Sequence, residues 1–308
     1  GYGDLSGKIV LDIGCNDGSL LDFFKSKGAS TIGIEPTDAY LDAKEKDHII
    51  YPNYLSEDVA DKIVLENGKP DFITFTNVFA HIQNLNDVIN SLKLLIKPST
   101  KLIIENHYLG SIFEGNQFDT FYHEHPRTYS YNSFKHIAKS LGLFIENVEF
   151  PSRYGGNIQV FIGNNSEKID RTELDKREED FFNMFETLNI NITHWKEKKE
   201  RELNAYKIKS GMLHAKAFPG RSAILIKMLG LDEEYISAVY EIKGSMKVDH
   251  YVPGTRIPIL PEAELYNLND QDQPILNLAW HIPGEVRANL TLNGYTGEVI
   301  DIKPMTTS

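Results

Sequence analysis

The sequence predicts an α/β protein of two successive units, and three observations carry that expectation. Short β-branched runs alternate with segments of helical apolar spacing up to about Gly110. The same alternation returns from Gly211 to the carboxyl end, after a long charged stretch. The first strand-like run ends in a turn bracketed by two glycines that opens directly into a helical pattern. Continuous apolar strands separated by helices indicate a parallel sheet covered on both faces. Strand–helix alternation of this kind builds a doubly wound sheet.

Lys8–Ile13 reads as a buried strand, and Ser19–Lys27 as a helix with Leu20, Leu21, Phe23 and Phe24 at helical spacing. Thr31–Glu35 is a second strand and Asp38–Lys46 a second helix. Asp71–Thr76 is a third strand, followed by a helix over Leu85–Ile96. Pro98-Ser99-Thr100 then turns into a strand at Lys101–Glu105. Gly110–Ser130 reads as loop, rich in aromatics and histidine. Tyr131–Leu141 reads as a helix ended by Gly142, and Leu143–Glu149 and Asn157–Ile162 as two closing strands. Glu167–Lys209 is charged, with spaced apolar residues, and reads as one or two surface helices. In the second unit Gly211–Phe218 reads as a strand, and Pro219-Gly220 opens a helix to Leu229, a position where proline is tolerated. Tyr235–Tyr240 and Pro274–Trp280 are strands, a helix starts near Gly284, and Glu298–Ile302 is the last strand. The expected division is 1–165 for a first domain, 166–209 for a helical connector and 210–308 for a smaller second domain.

Composition narrows the function classes. The 308 residues carry a formal net charge of -12, which argues against a nucleic-acid backbone as main partner, since phosphate contacts need clustered Lys and Arg. No apolar run approaches the roughly 20 residues of a membrane span. The chain opens Gly-Tyr-Gly with no basic-plus-apolar leader, and Cys15 has no second cysteine to pair with. A cytoplasmic monomer or homodimer that binds a small molecule is expected.

The strongest local signal is Leu11-Asp12-Ile13-Gly14-Cys15-Asn16-Asp17-Gly18-Ser19. Gly14 permits a tight turn, and Gly18 lets a helix start close to the sheet. Glu35 ends the next strand, where a carboxylate suits ribose hydroxyls. The spacing is neither the three-glycine dinucleotide pattern nor a Lys-Ser/Thr phosphate cradle. An acidic loop repels pyrophosphate and suits a ligand with a cationic amino-acid end. These features indicate S-adenosylmethionine (SAM), held by Asp12, Gly14, Asn16, Gly18, Glu35 and Asn77. Cys15 reads as a small buried side chain rather than a nucleophile.

A second dense signal is Phe118-Asp119-Thr120-Phe121-Tyr122-His123-Glu124-His125. SAM supplies an electrophilic methyl, so the acceptor needs a base, and histidine has the intrinsic pKa for one. His125 is expected in that role, Glu124 as its orienting or proton-transferring partner, and Tyr122 as donor to a developing oxyanion. Its expected place is the carboxyl edge of the sheet. The alternative is a hydrogen-bonded structural cluster. A further alternative is metal: His123/His125 and Glu105/His107 repeat the same spacing, and alternate strand residues share a face. His81, just after the third strand, meets the acceptor or caps the following helix.

At these residues the sequence resembles the sugar C-methyltransferases that act on nucleotide-linked deoxyketosugars. The likeness includes Asp12–Leu21, Glu35-Pro36, Asn77–His81, Asp119–His125, Tyr154-Gly155-Gly156-Asn157, Val252–Pro258 and Leu278-Ala279-Trp280. It implies a Rossmann-like SAM methyltransferase domain followed by a smaller Rossmann-like α/β domain that helps bind a sugar nucleotide. It also implies Tyr122, Glu124 and His125 as the catalytic group, His125 as base and no metal there. Three departures stand out. The family's small cysteine-built zinc domain has no counterpart in these residues. Asn157 and Gln159 replace a family serine and arginine, at positions expected to meet substrate together with His81. The second unit's glycine-rich turn is reduced to Phe218-Pro219-Gly220. The expected activity is C-methylation of a keto-sugar nucleotide; O-methylation of a hydroxyl and a non-catalytic binding protein are the alternatives.

Overall fold

A computed structural model describes residues 3–167 and 170–304. The first stretch runs β1 (Ile9–Ile13), α1 (Ser19–Lys25), β2 (Ser30–Ile34), α2 (Tyr40–Glu45), β3 (Ile49–Tyr51), α3 (Glu57–Asn67), β4 (Phe72–Thr76) and α4 (Leu85–Leu95). It continues through β5 (Lys101–His107), α5 (Leu109–Glu114), α6 (Tyr131–Ser140), β6 (Phe144–Glu149) and β7 (Asn157–Gly163). Two helices follow, α7 (Thr172–Glu179) and α8 (Phe181–Ser210). The remainder is β8 (Leu213–Lys216), α9 (Ser222–Met228), β9 (Ile236–Glu241), β10 (Ile259–Pro261), α10 (Glu262–Leu265), β11 (Ile275–Asn277), α11 (Pro283–Leu292) and β12 (Val299–Asp301).

The strands form two sheets, ordered β3-β2-β1-β4-β5-β7-β6 and β10-β9-β8-β11-β12. The second is parallel throughout. In the first, β7 runs antiparallel to both neighbours. Only 150–156 separate β6 from β7, too few residues for a parallel crossover. Strand order reverses between β1 and β4 in the first sheet and between β8 and β11 in the second, the positions where such folds open a ligand crevice. Leu11, Ile32, Ile73, Leu102, Ile104, Val160 and Ile162, all buried, carry the first core. Removing each such side chain from water stabilises the fold by about 1.5–3 kcal/mol before entropy is counted.

The sequence pattern placed nothing between Lys46 and Asp71, where the structure has β3 and α3. The start signal of α3 was present: the Ser56 hydroxyl accepts from Val59 N, and Ala60 and Ile63 sit on its buried face. β3 and β10 are three-residue edge strands, too short to show a period. Within the stretch expected to be loop, Leu109–Glu114 forms α5.

Packing divides the chain into two compact units. One holds the residues up to Ile112 with His123–Phe181; the other holds Phe113–Tyr122 with Phe182–Ser308. This differs from a connector at 166–209 standing between two domains, and hydrogen bonds give the reason. Glu178 of α7 accepts from the Tyr131 and Asn132 N–H groups at the start of α6 and from the Tyr108 hydroxyl, tying α7 to the first unit. Trp195 and Lys199 of α8 donate to the carbonyls of Ile302 and Asp301, tying that length of helix to the second.

Candidate functional site

At the reversal between β1 and β4 the first unit encloses a cavity of about 870 Å3. Its wall includes Gly14 and Asn16 after β1, Glu35 and Thr37 after β2, Asn77 and His81 after β4, and Asp87 on α4. Five expected ligand residues, Gly14, Asn16, Glu35, Asn77 and His81, therefore share one cavity. Its size lies within the range of small-molecule pockets, and neither Lys nor Arg is among its lining residues.

Glu35 is buried, and its carboxylate is held from two sides: Oε2 accepts from Asn16 N at 3.0 Å, Oε1 from Thr37 N and Oγ1 at 2.9 and 2.7 Å. A carboxylate oxygen accepts more than one hydrogen bond, so both remain competent for ribose hydroxyls. Gly14 has φ +74°, and a Cβ there would lie 2.4 Å from Val78 Cγ2. Its glycine is required by the left-handed turn and by Val78 together. Gly18, φ +77°, lies behind the cavity, where its bare Cα meets Ala43 of α2 and the His48 ring.

Asp12 does not line the cavity. It is 3% exposed and accepts from the Thr74 hydroxyl of β4 at 2.6 Å. Burial pushes its carboxyl up to about 7 against the opposing Thr74 bond, with the Glu35 charge adding to the rise. Cys15 packs its sulfur against Gly33, and burial, helped by the charges of Asp12 and Glu35, lifts its thiol to about 12. At neutral pH it is an uncharged packing residue.

His125 stands with its ring edge-on to His81 of the cavity wall, centroids 4.8 Å apart. Arg127 fixes this loop there, donating to the carbonyls of Ile82 and Gln83. His123 and Glu124 are exposed and lie 3.9 Å apart. Tyr122 packs with the second unit. Asp119 is fully buried in that unit, accepting from Arg221 Nε and Nη2 at 2.7 and 3.0 Å and from Trp280 Nε1 at 2.8 Å.

Asn157 and Gln159 meet Glu105 instead of the cavity. The buried Glu105 carboxylate accepts from Asn157 Nδ2 at 2.8 Å, Gln159 Nε2 at 2.9 Å and Arg153 Nη2 at 2.5 Å. These three donors occupy the carboxylate that the metal alternative needs. No group of three or more His, Cys, Asp or Glu able to hold a metal gathers among the described residues. Sequence reading missed Arg153, Arg127 and Arg221. Each acts by pairing with a group distant in the chain, for which spacing holds no signal.

The glycine turn, the buried carboxylate at the end of β2 and the sheet order fit a methyltransferase domain of the SAM-dependent class. A family model for a methyltransferase domain matches residues 3–148. A second, for the C-methyltransferase C-terminal domain, matches residues 152–300. The chain thus combines a methyltransferase domain with the carboxyl-terminal domain of the C-methyltransferases, as the resemblance implied. It is similar to C-methyltransferase NovU of Streptomyces niveus, 29% identical over 156 residues, 50% of this chain and 37% of that protein. It is also similar to the ubiquinone biosynthesis O-methyltransferase of Glaesserella parasuis, 36% identical over 107 residues, 32% of this chain and 45% of that protein. The chain spans less than half the length of each of these curated relatives. Among solved structures, a SAM-dependent methyltransferase from Archaeoglobus fulgidus aligns with 58% of this chain and 80% of its own, at 16% identity and a TM-score of 0.41. No helix of the described residues is long and apolar enough to cross a membrane.

Proposed function

We propose that this chain transfers the methyl group of SAM to a carbon of a nucleotide-linked keto-sugar, with His125 as general base. The observation that carries the reading is the ring of His125 set against His81, which lines the same cavity as Gly14, Glu35 and Asn77. SAM, when bound, supplies an electrophilic methyl; Glu35 takes its ribose hydroxyls, and the glycine turn lets the backbone lie close to it. A ketone acidifies the adjacent carbon–hydrogen bond. A ring nitrogen of His125 takes that proton, Tyr122 or Glu124 assists, and the carbanion forms the new carbon–carbon bond as the methyl–sulfur bond breaks. The C-methyltransferase C-terminal domain supports carbon as the methylated atom. A positioned base contributes about a hundred- to ten-thousand-fold.

O-methylation is the second reading, favoured by the 36% identity over 107 residues to an O-methyltransferase. The same base then acts on a hydroxyl. Carbon NMR after incubation with SAM carbon-13 labelled in its methyl, against keto and non-keto sugar nucleotides, separates the two. A carbon-bound methyl from a keto sugar is expected, and an oxygen-bound methyl replaces the mechanism by hydroxyl activation. His125→Ala is expected to lose turnover by at least a hundredfold while SAM binding by calorimetry is kept. Full activity in that variant removes His125 from the reaction.

A further inference from the structure

Asn77 follows β4 in the left-handed region, φ +57°, with its backbone N–H donating to the Glu105 carbonyl at 2.8 Å. Its side-chain oxygen accepts from Asn157 Nδ2 at 3.1 Å. The same Nδ2 donates to Glu105 Oε1, while Asn157 Oδ1 is buried and has no partner among the described residues. An orphaned buried oxygen calls for an explanation, and Glu105 provides it. An ionised carboxylate only accepts, so Asn157 must turn its NH2 toward it. Flipping Asn157 pairs its orphaned oxygen with Asn77 only by setting an oxygen against Glu105 Oε1, whose donor is Asn157 while Gln159 and Arg153 bond Oε2, the costlier arrangement in a buried site. With Asn157 so oriented, Asn77 must offer its oxygen inward. The group Asn77 retains for a ligand in the cavity it lines is its NH2.

The glycine loop has little to offer a negative oxygen. The N–H groups of Gly14 and Cys15 are taken by the Ile34 carbonyl, that of Asn16 by Glu35 and that of Gly18 by the Cys15 carbonyl. No Lys or Arg lines the cavity. Glu35 and Asn77 flank Gly14 at the ends of β2 and β4, two strand spacings apart, about 10 Å. A ligand whose ribose lies on Glu35 and whose chain crosses β1 brings its amino-acid end to Asn77.

We propose that Glu105 and Asn157 are positioning residues that lock Asn77 with its NH2 toward the cavity, as donor to the carboxylate of the cofactor's amino-acid end. This rests on the SAM reading of the cavity. The chain uses Asn157 and Gln159 here, with Arg153 supplying the cation beside Glu105.

The test is calorimetric titration of the full chain with two probes. S-adenosylhomocysteine carries the amino-acid end; 5′-methylthioadenosine shares the nucleoside and lacks that end. Asn77→Asp keeps the shape and the bond from Asn157 but turns an acceptor to the cavity. Asn157→Leu keeps the volume and removes the lock. Each is expected to weaken S-adenosylhomocysteine about tenfold, the weight of one hydrogen bond to a charged group, and to leave methylthioadenosine within about twofold. Asn77→Asp is independent of any folding defect in Asn157→Leu. Equal weakening of both probes reduces the three residues to a structural role and overturns the proposal, as does no change in either. Failure of the wild-type chain to bind either probe refutes the SAM reading itself, a result separable from the other two.

Discussion

Asp12 shows how one buried side chain couples stability to pH. Its carboxyl rises from 3.8 to about 7 because burial disfavours the charge. The folded state therefore holds a proton that the unfolded chain gives up near pH 4. The contribution of Asp12 to stability is greatest below the unfolded value, falls as pH rises toward 7, and then levels off. The full difference corresponds to about 4 kcal/mol. Asp12→Asn keeps an oxygen for the Thr74 hydroxyl and has no charge to bury. Urea midpoints between pH 4.5 and 8 are expected to fall less in the variant than in the wild type. Parallel curves would mean that Asp12 ionises without penalty. Asp12 was read in the sequence as a cofactor contact at the end of a buried strand; that its partner is Thr74 follows only from β1 lying beside β4.

At the scale of elements, α1 depends on a single glycine. Gly18 precedes its first residue at φ +77°, and an added Cβ would lie 2.8 Å from the His48 ring and 3.0 Å from the Ala43 Cβ. His48 has little freedom to yield, since its ring bonds both Thr31 Oγ1 and Asp22 Oδ1. Left-handed backbone costs a non-glycine residue about 1–2 kcal/mol, and the contacts add to it. Gly18→Ala is expected to lower the melting temperature by several degrees, and an unchanged melting curve would show that α2 moves aside freely. The turn itself was legible because glycines on either side of a short polar stretch, between a strand and a helix, have few other uses. What Gly18 approaches was not, since Ala43 and His48 lie about 25–30 residues away and are brought there by α2 and β3, the latter too short to read.

At the scale of the molecule, Phe113–Tyr122 is drawn from the middle of the first unit's sequence into the second. Asp119 holds it there, bonded to Arg221 and Trp280, which follow it by 102 and 161 residues. Asp119→Ala removes the carboxylate from Arg221 Nε and from the Trp280 indole N–H, leaving the guanidinium, among the described residues, only the Thr120 hydroxyl, and breaking a buried pair in this way costs about 3–5 kcal/mol. Both tryptophans, Trp195 and Trp280, lie in the second unit, so tryptophan fluorescence reports its unfolding. The denaturation midpoint read this way is expected to fall sharply in Asp119→Ala and less in Asp119→Asn, which keeps an acceptor. A midpoint unchanged in both would remove Asp119 as the anchor.

The chain's own order of residues determined that there would be two α/β units, where most strands and helices fall, and that a glycine turn and an acid at the end of β2 would stand where such folds bind ligands. These properties are local: hydrophobic period, turn chemistry and strand-end position are set by near neighbours in sequence. Tertiary structure decided the rest. It turned Asp12 inward onto Thr74, gathered Arg153, Asn157 and Gln159 around Glu105, placed His125 against His81 and assigned the segment around Asp119 to the second unit. Each of these is a pairing between groups on different elements. Buried charge and hydrogen-bond polarity take their energy from what stands opposite in space, and sequence spacing holds no record of that.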